Sequence, residues 1–316
     1  MHRSSAETKA APAQSPAALP FIALICGNLA LAFGPWFVRL ADVGPVAAGF
    51  WRLALGAPIL LAIVFVIDGN PMRRARGLWL VLVFAGVAFA ADLAAWHVGI
   101  LRTNLANATL FGNSAILMFP IWGFLVARAW PTRQQGVALA LAAAGAALLM
   151  GRSYELSPQN LVGDLFCLLA GILYTVYFIM MARAREKMAP LPALALSSLF
   201  GTLPLLLVAL ALGEQVWPER WDILVGLALA SQVVGQGLMI YALGHLSPLV
   251  VGIALLTQPV VAGTVGWLAY DERLGVPDLI GAILVAVALV LVRRGRGPPG
   301  QVASSEVEAE RRIDKE

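Results

Sequence analysis

Apolar runs of about 17–25 residues, separated by short polar breaks, follow one another along most of the chain. A run of that length crosses a hydrocarbon core of roughly 30 Å as a helix. Ten such runs are read, at about 19–40, 44–67, 78–100, 103–127, 134–150, 161–182, 191–212, 221–244, 248–270 and 276–292. They are called spans 1 to 10 below. The polar, Ala/Pro/Ser-rich residues 1–18 are expected to be a disordered tail. Span 1 is too long for a signal-peptide core, and many spans follow it, so it is read as a retained helix. The links are short, so neighbouring spans are predicted to be antiparallel hairpins. The longest, GRSYELSPQN at 151–160, divides the membrane part in two. The expected fold is therefore all-α and polytopic: a first unit at 19–150, a second at 161–294, and a charged tail at 295–316.

The two units repeat one another. Shifted by 145 residues, Trp96 falls on Tyr241, Gly99 on Gly244, Asn113 on Gln258, Trp122 on Trp267 and Gly136 on Gly281. A repeat carried on spanning segments is typical of transporters. Orientation follows from Lys and Arg in the short loops. With the N-terminus inside, thirteen basic residues fall on the inner side, among them Arg73, Arg74, Arg76, Arg183, Arg185 and Lys187. Five fall outside: Arg39, Arg102, Arg152, Arg220 and Arg273. Both termini are thus expected in the cytoplasm of a cell bounded by this inner membrane. Five spans per half is an odd number, so the second half enters from the opposite side and the ten helices form two inverted five-helix repeats.

Composition agrees with this pattern. The chain is 60% hydrophobic and 13% charged, whereas a soluble domain is closer to half apolar and a quarter charged. The net charge of +4 comes from loop residues that set orientation, so no nucleic-acid partner is implied. Cys26 and Cys167 both lie inside apolar runs. They are read as small buried residues, not as a disulfide framework.

The stretch YALGHLSPLVVGIALLTQPVVAGTVGWLAYDERLGVPDLIGAILVAVALVLV (241–292) has an aromatic-Ala start and Pro259 within span 9. Glu272 and Leu274 follow at its end, and Gly281 lies early in span 10. In these features the chain resembles the drug/metabolite transporter superfamily, in its EamA-domain branch, over about residues 19–294. The first half departs from the pattern, with Ser114 and Ala127 where Pro and Glu would stand. The resemblance implies a ten-helix exporter or exchanger of small metabolites, with a central cavity between the halves.

Candidate chemistry lies in the few polar residues within the spans. A charge at a helix centre costs roughly 2.5–3.5 kcal/mol on insertion scales, so such residues face a cavity or a partner. Arg52 in span 2 and Asp92 in span 3 each lie about eight residues, or about 12 Å, from the outer end of the helix. They are expected to pair directly or to face one cavity, as a charge pair or a proton site. Arg52 also reads as a packing arginine reaching for the interface. His97 is placed nearer the surface. Asp164, Asp222 and Asp278 sit near helix starts, where a carboxylate suits the dipole, and Glu272 reads as interfacial. Gln232 and Gln236 are four apart, so on an α-helix they share a face. With Trp96, Asn113, Tyr174 and Gln258 they are the candidate lining of a mid-membrane cavity for a small amphipathic solute, such as an amino acid. Interhelical hydrogen bonding is the other reading of the same residues. Pro35, Pro58, Pro120, Pro204 and Pro259 read either as packing kinks or as the broken wall of that cavity.

A carrier is the leading function, most simply an exporter. The alternatives are a membrane receptor or assembly factor without transport, and an intramembrane enzyme. The enzyme would need a nucleophile with a base or a metal cluster, and neither HExxH nor GxSxG occurs. No catalytic residue, metal or cofactor is assigned. The sequence holds no nucleotide-binding loop, which leaves a proton or substrate gradient as the energy source. The lipid bilayer and a small-molecule substrate are the expected partners, and a homo-oligomer is compatible with such a chain.

Overall fold

The computed structural model describes residues 18–100, 102, 111–112, 114–150, 158–258, 260–261, 264 and 276–294. Every described element is a helix. In chain order they are α1 (Ala18–Ala32), α2 (Gly34–Leu40), α3 (Pro45–Ile67), α4 (Pro71–Arg74), α5 (Trp79–Ile100), α6 (Ala115–Ala127) and α7 (Arg133–Met150). Then follow α8 (Pro158–Lys187), α9 (Pro190–Ala211), α10 (Trp221–Leu227), a π-helical segment (Ala228–Gln236), α11 (Gly237–Leu243), α12 (Pro248–Leu255) and α13 (Val276–Arg294). Helix is found within each of the ten apolar runs. Six helices among the described residues are long and apolar enough to cross a membrane: Ala18–Val38, Pro45–Ile67, Trp79–Gly99, Leu161–Lys187, Pro190–Ala211 and Trp221–Leu243.

Proline sets the helix starts. Pro45, Pro71, Pro190 and Pro248 each stand in the first turn, where the missing N–H is no loss and the fixed φ already suits a helix. Pro58, Pro120 and Pro204 lie within helices. At Pro35 span 1 carries a local irregularity: it turns at Phe33, whose backbone stays in the α region, and continues as α2. Pro259 lies outside the described residues. Cys167 is buried as expected, but Cys26 is exposed on the outward face of α1. An apolar run tells that a residue is in the membrane, not whether it faces protein or lipid.

Small residues let the helices approach closely. A Cβ on Gly27 would stand 2.9 Å from the Gly235 carbonyl oxygen, and one on Gly201 would stand 2.8 Å from that of Gly86. The packing crosses between the halves. Span 2 (α3) lies against span 7 (α9), span 4 (α6) against span 9 (α12), and span 5 (α7) against span 10 (α13). Span 1 (α1) packs on span 8 (the π segment and α11), while span 3 (α5) packs on span 6 (α8). Span 2 also meets span 8, and span 7 meets span 3. Exchange the halves, 1 for 6 and so on to 5 for 10, and this set of pairs maps onto itself. Pro45 and Pro190, which open α3 and α9, are separated by the same 145 residues as the landmarks above.

Candidate functional site

The helix that runs from Trp221 to Leu243 is α-helical at both ends and π-helical in the middle. Its π segment, ALASQVVGQ, carries Ser231, Gln232 and Gln236, all buried. π-segments are rare and occur often at functional sites. Gln232 and Gln236 do not act as one face here. Gln232 turns to α3 and α9, and Gln236 turns to α8. A local sequence has no periodic signal for a π turn; the polar cluster inside an apolar run is the one visible trace.

Arg52 is on α3. Its Nε donates to Gln232 Oε1 at 3.0 Å. Gln232 Nε2 donates to Ser198 Oγ at 2.8 Å, and that hydroxyl donates to the Leu194 carbonyl at 2.7 Å. Gly56, one turn from Arg52, makes room: a Cβ there would stand 2.8 Å from Gln232 Cγ. The guanidinium carbon lies 5.5 Å from the centroid of Phe89 on α5, within cation–π range. Arg52 Nη2 is buried and has no partner among the described residues.

Phe89 begins a stack that continues into α8. Its ring centroid is 4.6 Å from that of Tyr177 and 6.3 Å from that of Tyr174. Tyr174 packs on Phe178 at 4.3 Å. Gln236 Nε2 donates to the Tyr174 hydroxyl at 3.3 Å, and Gln236 Oε1 is buried without a partner among the described residues. Phe89, Asp92 and Trp96 fall on one stripe of α5. Asp92 is 9% exposed. Among the described residues no N···O contact within 4.0 Å joins it to Arg52. Of the two arrangements expected from sequence, a direct pair or a shared cavity, the direct pair is not formed among the described residues. Arg52 is held by Gln232 and Phe89 instead.

Trp96 lies one turn further on, against Gly112, where a Cβ would stand 2.8 Å from its Cδ1. His97 stands in the last turn of α5, near the helix end as its depth in the sequence implied. It is buried against Gly49, and among the described residues its Nδ1 has no partner. Gln258 turns away from the other glutamines and donates to Asn28 Oδ1 at 2.8 Å, while Asn28 Nδ2 donates to the Leu24 carbonyl. Asn113, Glu272 and the side chain of Asp278 lie outside the described residues. Asp222 stands in the first turn of α10 and pairs with Arg220 at 3.2 Å.

So the structure brings Arg52, Tyr174, Gln232 and Gln236 into one cluster, with Asp92 and Trp96 along its α5 edge. Phe89, Ser198 and Asn28 were missed in the sequence. Phe89 looked like any apolar residue, and Ser198 and Asn28 are single polar residues whose partners are distant in the chain.

Both halves match the model of the EamA-like transporter family, at residues 18–151 and 161–294. The chain belongs to that family. Two Archaeoglobus fulgidus proteins, each named an uncharacterized transporter, are similar to it. One is 24% identical over 259 residues, covering 80% of this chain and 89% of its own length. The other is 25% identical over 281 residues, covering 88% and 96%. A chain known from a crystal structure overlays with a TM-score of 0.70 at 16% identity, covering 90% of this chain and 100% of itself. That likeness speaks to the fold alone. As an EamA-like family member with apolar spanning helices, the protein is a multi-pass membrane protein of transporter type. The cluster on α3, α5, α8, α9 and the π segment gathers Asp92, Ser198, Gln232 and Gln236, all buried, among the described residues.

Proposed function

We propose that the protein is a secondary transporter of small metabolites, an amino acid or a similar amphipathic solute, and that it works as an exporter in the cytoplasmic membrane. Its ten helices form two inverted five-helix repeats, 19–150 and 161–294, with both termini cytoplasmic. Substrate passes between them by alternating access. Trp96, Asn113, Tyr174, Gln232, Gln236 and Gln258 line its path, and Arg52 and Asp92 supply the charge.

The observation that carries this reading is the exchange symmetry of the helix packing. An inverted repeat needs two arrangements of the same parts, one open to each side. A bundle whose main inter-half contacts map onto themselves when the halves are swapped has such a second arrangement available at similar energy. Free buried polar groups at the centre give the moving parts something to bind.

Counterflow in proteoliposomes tests the proposal. Vesicles loaded with a mixture of unlabelled amino acids, purines and organic acids should accumulate at least one labelled member of that mixture. Accumulation no greater than in protein-free vesicles, for every member, would refute it. A reporter fused after Arg296 should read cytoplasmic.

A further inference from the structure

We propose that the turn between α3 and α5, residues 68–80, is a docking surface for the headgroup of an anionic phospholipid. Arg73 and Arg76 hold the headgroup, and Met72 and Trp79 enter the bilayer surface beside it.

The segment is built to lie along the membrane rather than to cross it. α3 ends at Ile67 and α5 starts at Trp79. Between them Asn70 caps α4 by accepting the Met72 N–H at 2.9 Å, and Gly77, at φ +80°, turns the chain toward α5. One side of this turn is buried. Pro71, Ala75 and Leu78, spaced by four and three residues, face the protein, where α4 meets α3 and α9. The other side is exposed and carries Met72, Arg73, Arg76 and Trp79. The apolar side chains on its flanks, Val66 at 87% and Leu80 at 74% exposed, face lipid in a spanning bundle. The arginines therefore stand at the edge of the hydrocarbon, at the depth of lipid phosphates.

Arg74 is tied back to the end of α3. Its Nη2 donates to the Asp68 carbonyl at 3.1 Å and stands 3.9 Å from Asp68 Oδ1. Arg73 and Arg76 make no hydrogen bond or ion pair among the described residues.

The repeat shows that these charges are not a demand of the fold. Shifted by 145 residues, the segment falls on 213–225, the connection from α9 into α10. The first copy holds Arg73, Arg74 and Arg76 against Asp68, and its mate holds Glu214, Glu219 and Asp222 against Arg220. In the mate, charge is spent within the protein: Glu214 accepts the N–H groups of Val46 and Ala47, and Asp222 pairs with Arg220. In the first copy two guanidinium groups are left facing outward. A guanidinium fork matches two phosphate oxygens, and a headgroup of net negative charge supplies the counter-charge that the chain does not. Met72 and the amphipathic indole of Trp79 suit the boundary between headgroups and acyl chains. On the orientation proposed above the surface meets the cytoplasmic leaflet, but its chemistry does not depend on what the protein carries.

The test is native mass spectrometry of the full, detergent-solubilised chain with phosphatidylglycerol, phosphatidylcholine and glycerol 3-phosphate. Phosphatidylglycerol should bind roughly tenfold more tightly than phosphatidylcholine, as expected for two arginines at a membrane surface. Glycerol 3-phosphate at equal concentration should not displace it. The double variant Arg73→Gln/Arg76→Gln should lose that preference. Arg128→Gln/Arg133→Gln, which removes two exposed arginines at the connection from α6 to α7, should keep it. The comparison of the two lipids needs no variant, so a misfolded mutant does not obscure the result. Equal binding of the two lipids would show a merely solvated basic turn and overturn the proposal. Displacement by glycerol 3-phosphate would make this a site for a free anion, and equal loss in both variants would make any basic loop sufficient; either result also overturns it. Failure of every solute to counterflow would remove the carrier reading and leave this surface standing.

Discussion

The N-termini of α3 and α9 are repeat mates, yet they are finished in different ways. Each opens with a proline, Pro45 or Pro190. At α3 the next two backbone N–H groups, on Val46 and Ala47, are both taken by the carboxylate of Glu214, at 3.3 and 2.8 Å. Glu214 belongs to the other half, in the loop 212–220 after α9. The same loop accepts the indole N–H of Trp51 on the Val216 carbonyl at 2.6 Å and the Gly44 N–H on the Gln215 carbonyl at 3.0 Å. Asp42 answers from the first half, with Oδ2 accepting the N–H groups of Glu219 and Arg220. At α9 the cap residue is Ala189, which has no side chain to bond with, and the third residue is Pro192. Two of the first three donors are thus absent, and there is little for a partner to hold. One end of the bundle is latched across the halves, and its mate is not.

A symmetric fold can therefore be biased toward one arrangement by a few loop residues. The latch is built from ordinary parts. Helix α9 ends in a Schellman turn, with Gly213 N–H bonded to Leu210 O and Glu214 N–H bonded to Ala209 O. Gly213 has φ +68°, which glycine adopts freely. That turn aims Glu214 at the positive end of α3, where a carboxylate is favoured.

The largest expected effect comes from removing the carboxylate. Glu214→Ala should destabilise the latched end by about 1–2 kcal/mol, the upper half of the range for lost caps. The checks are a lower thermal midpoint and faster thiol labelling of Val216→Cys in a background lacking Cys26 and Cys167. Gly44→Ala should do nearly the same, because its Cβ would stand 2.5 Å or less from Glu214 and displace it. The double variant should be no worse than Glu214→Ala alone, since both act on one contact. Gly213→Ala comes next, at about 1 kcal/mol for the left-handed backbone. At the other end, Ala189→Ser should stabilise by about 0.5 kcal/mol, the low end for a cap, because Leu191 is the one donor it can reach in the first turn. Adding Pro192→Ala should restore a donor and raise the gain.

The smallest effect is in pH. The Glu219 N–H holds the Asp42 carboxyl below its ordinary value, against a smaller upward push from desolvation and with further help from the Arg220 N–H. A depressed carboxylate contributes stability above its unfolded pKa and loses it as pH falls through the folded value. The latch should therefore loosen slightly below the ordinary carboxylate range, and Asp42→Asn should flatten that part of the profile of labelling rate against pH.

Much of this fold could be read along the chain, because membrane helices announce themselves locally. A long apolar run, a proline at its start and a 145-residue echo need no knowledge of distant contacts. The site was half legible for the same reason. Arg52, Tyr174, Gln232 and Gln236 stand out as polar residues in apolar runs, and they do come together. What could not be read is who holds whom. Glu214 meets Ala47 across 167 residues, and Arg52 meets Gln232 across 180. Equal depth on consecutive helices left Arg52 and Asp92 either paired or facing one cavity, and it could not show that Gln232 and Phe89 hold the arginine. Gln258 was grouped with the other glutamines by its depth and its repeat mate, and Asn28 bonds to it instead.

The most direct test of the account is to fix the latch and ask whether transport stops. Asp42→Cys and Glu219→Cys, placed in the background lacking Cys26 and Cys167, can be joined by a short, reducible bifunctional thiol reagent. Counterflow of the solute identified in proteoliposomes should fall to the level of protein-free vesicles when the link is made and return when it is reduced. Unchanged counterflow through fully cross-linked protein would contradict alternating access at this end of the bundle.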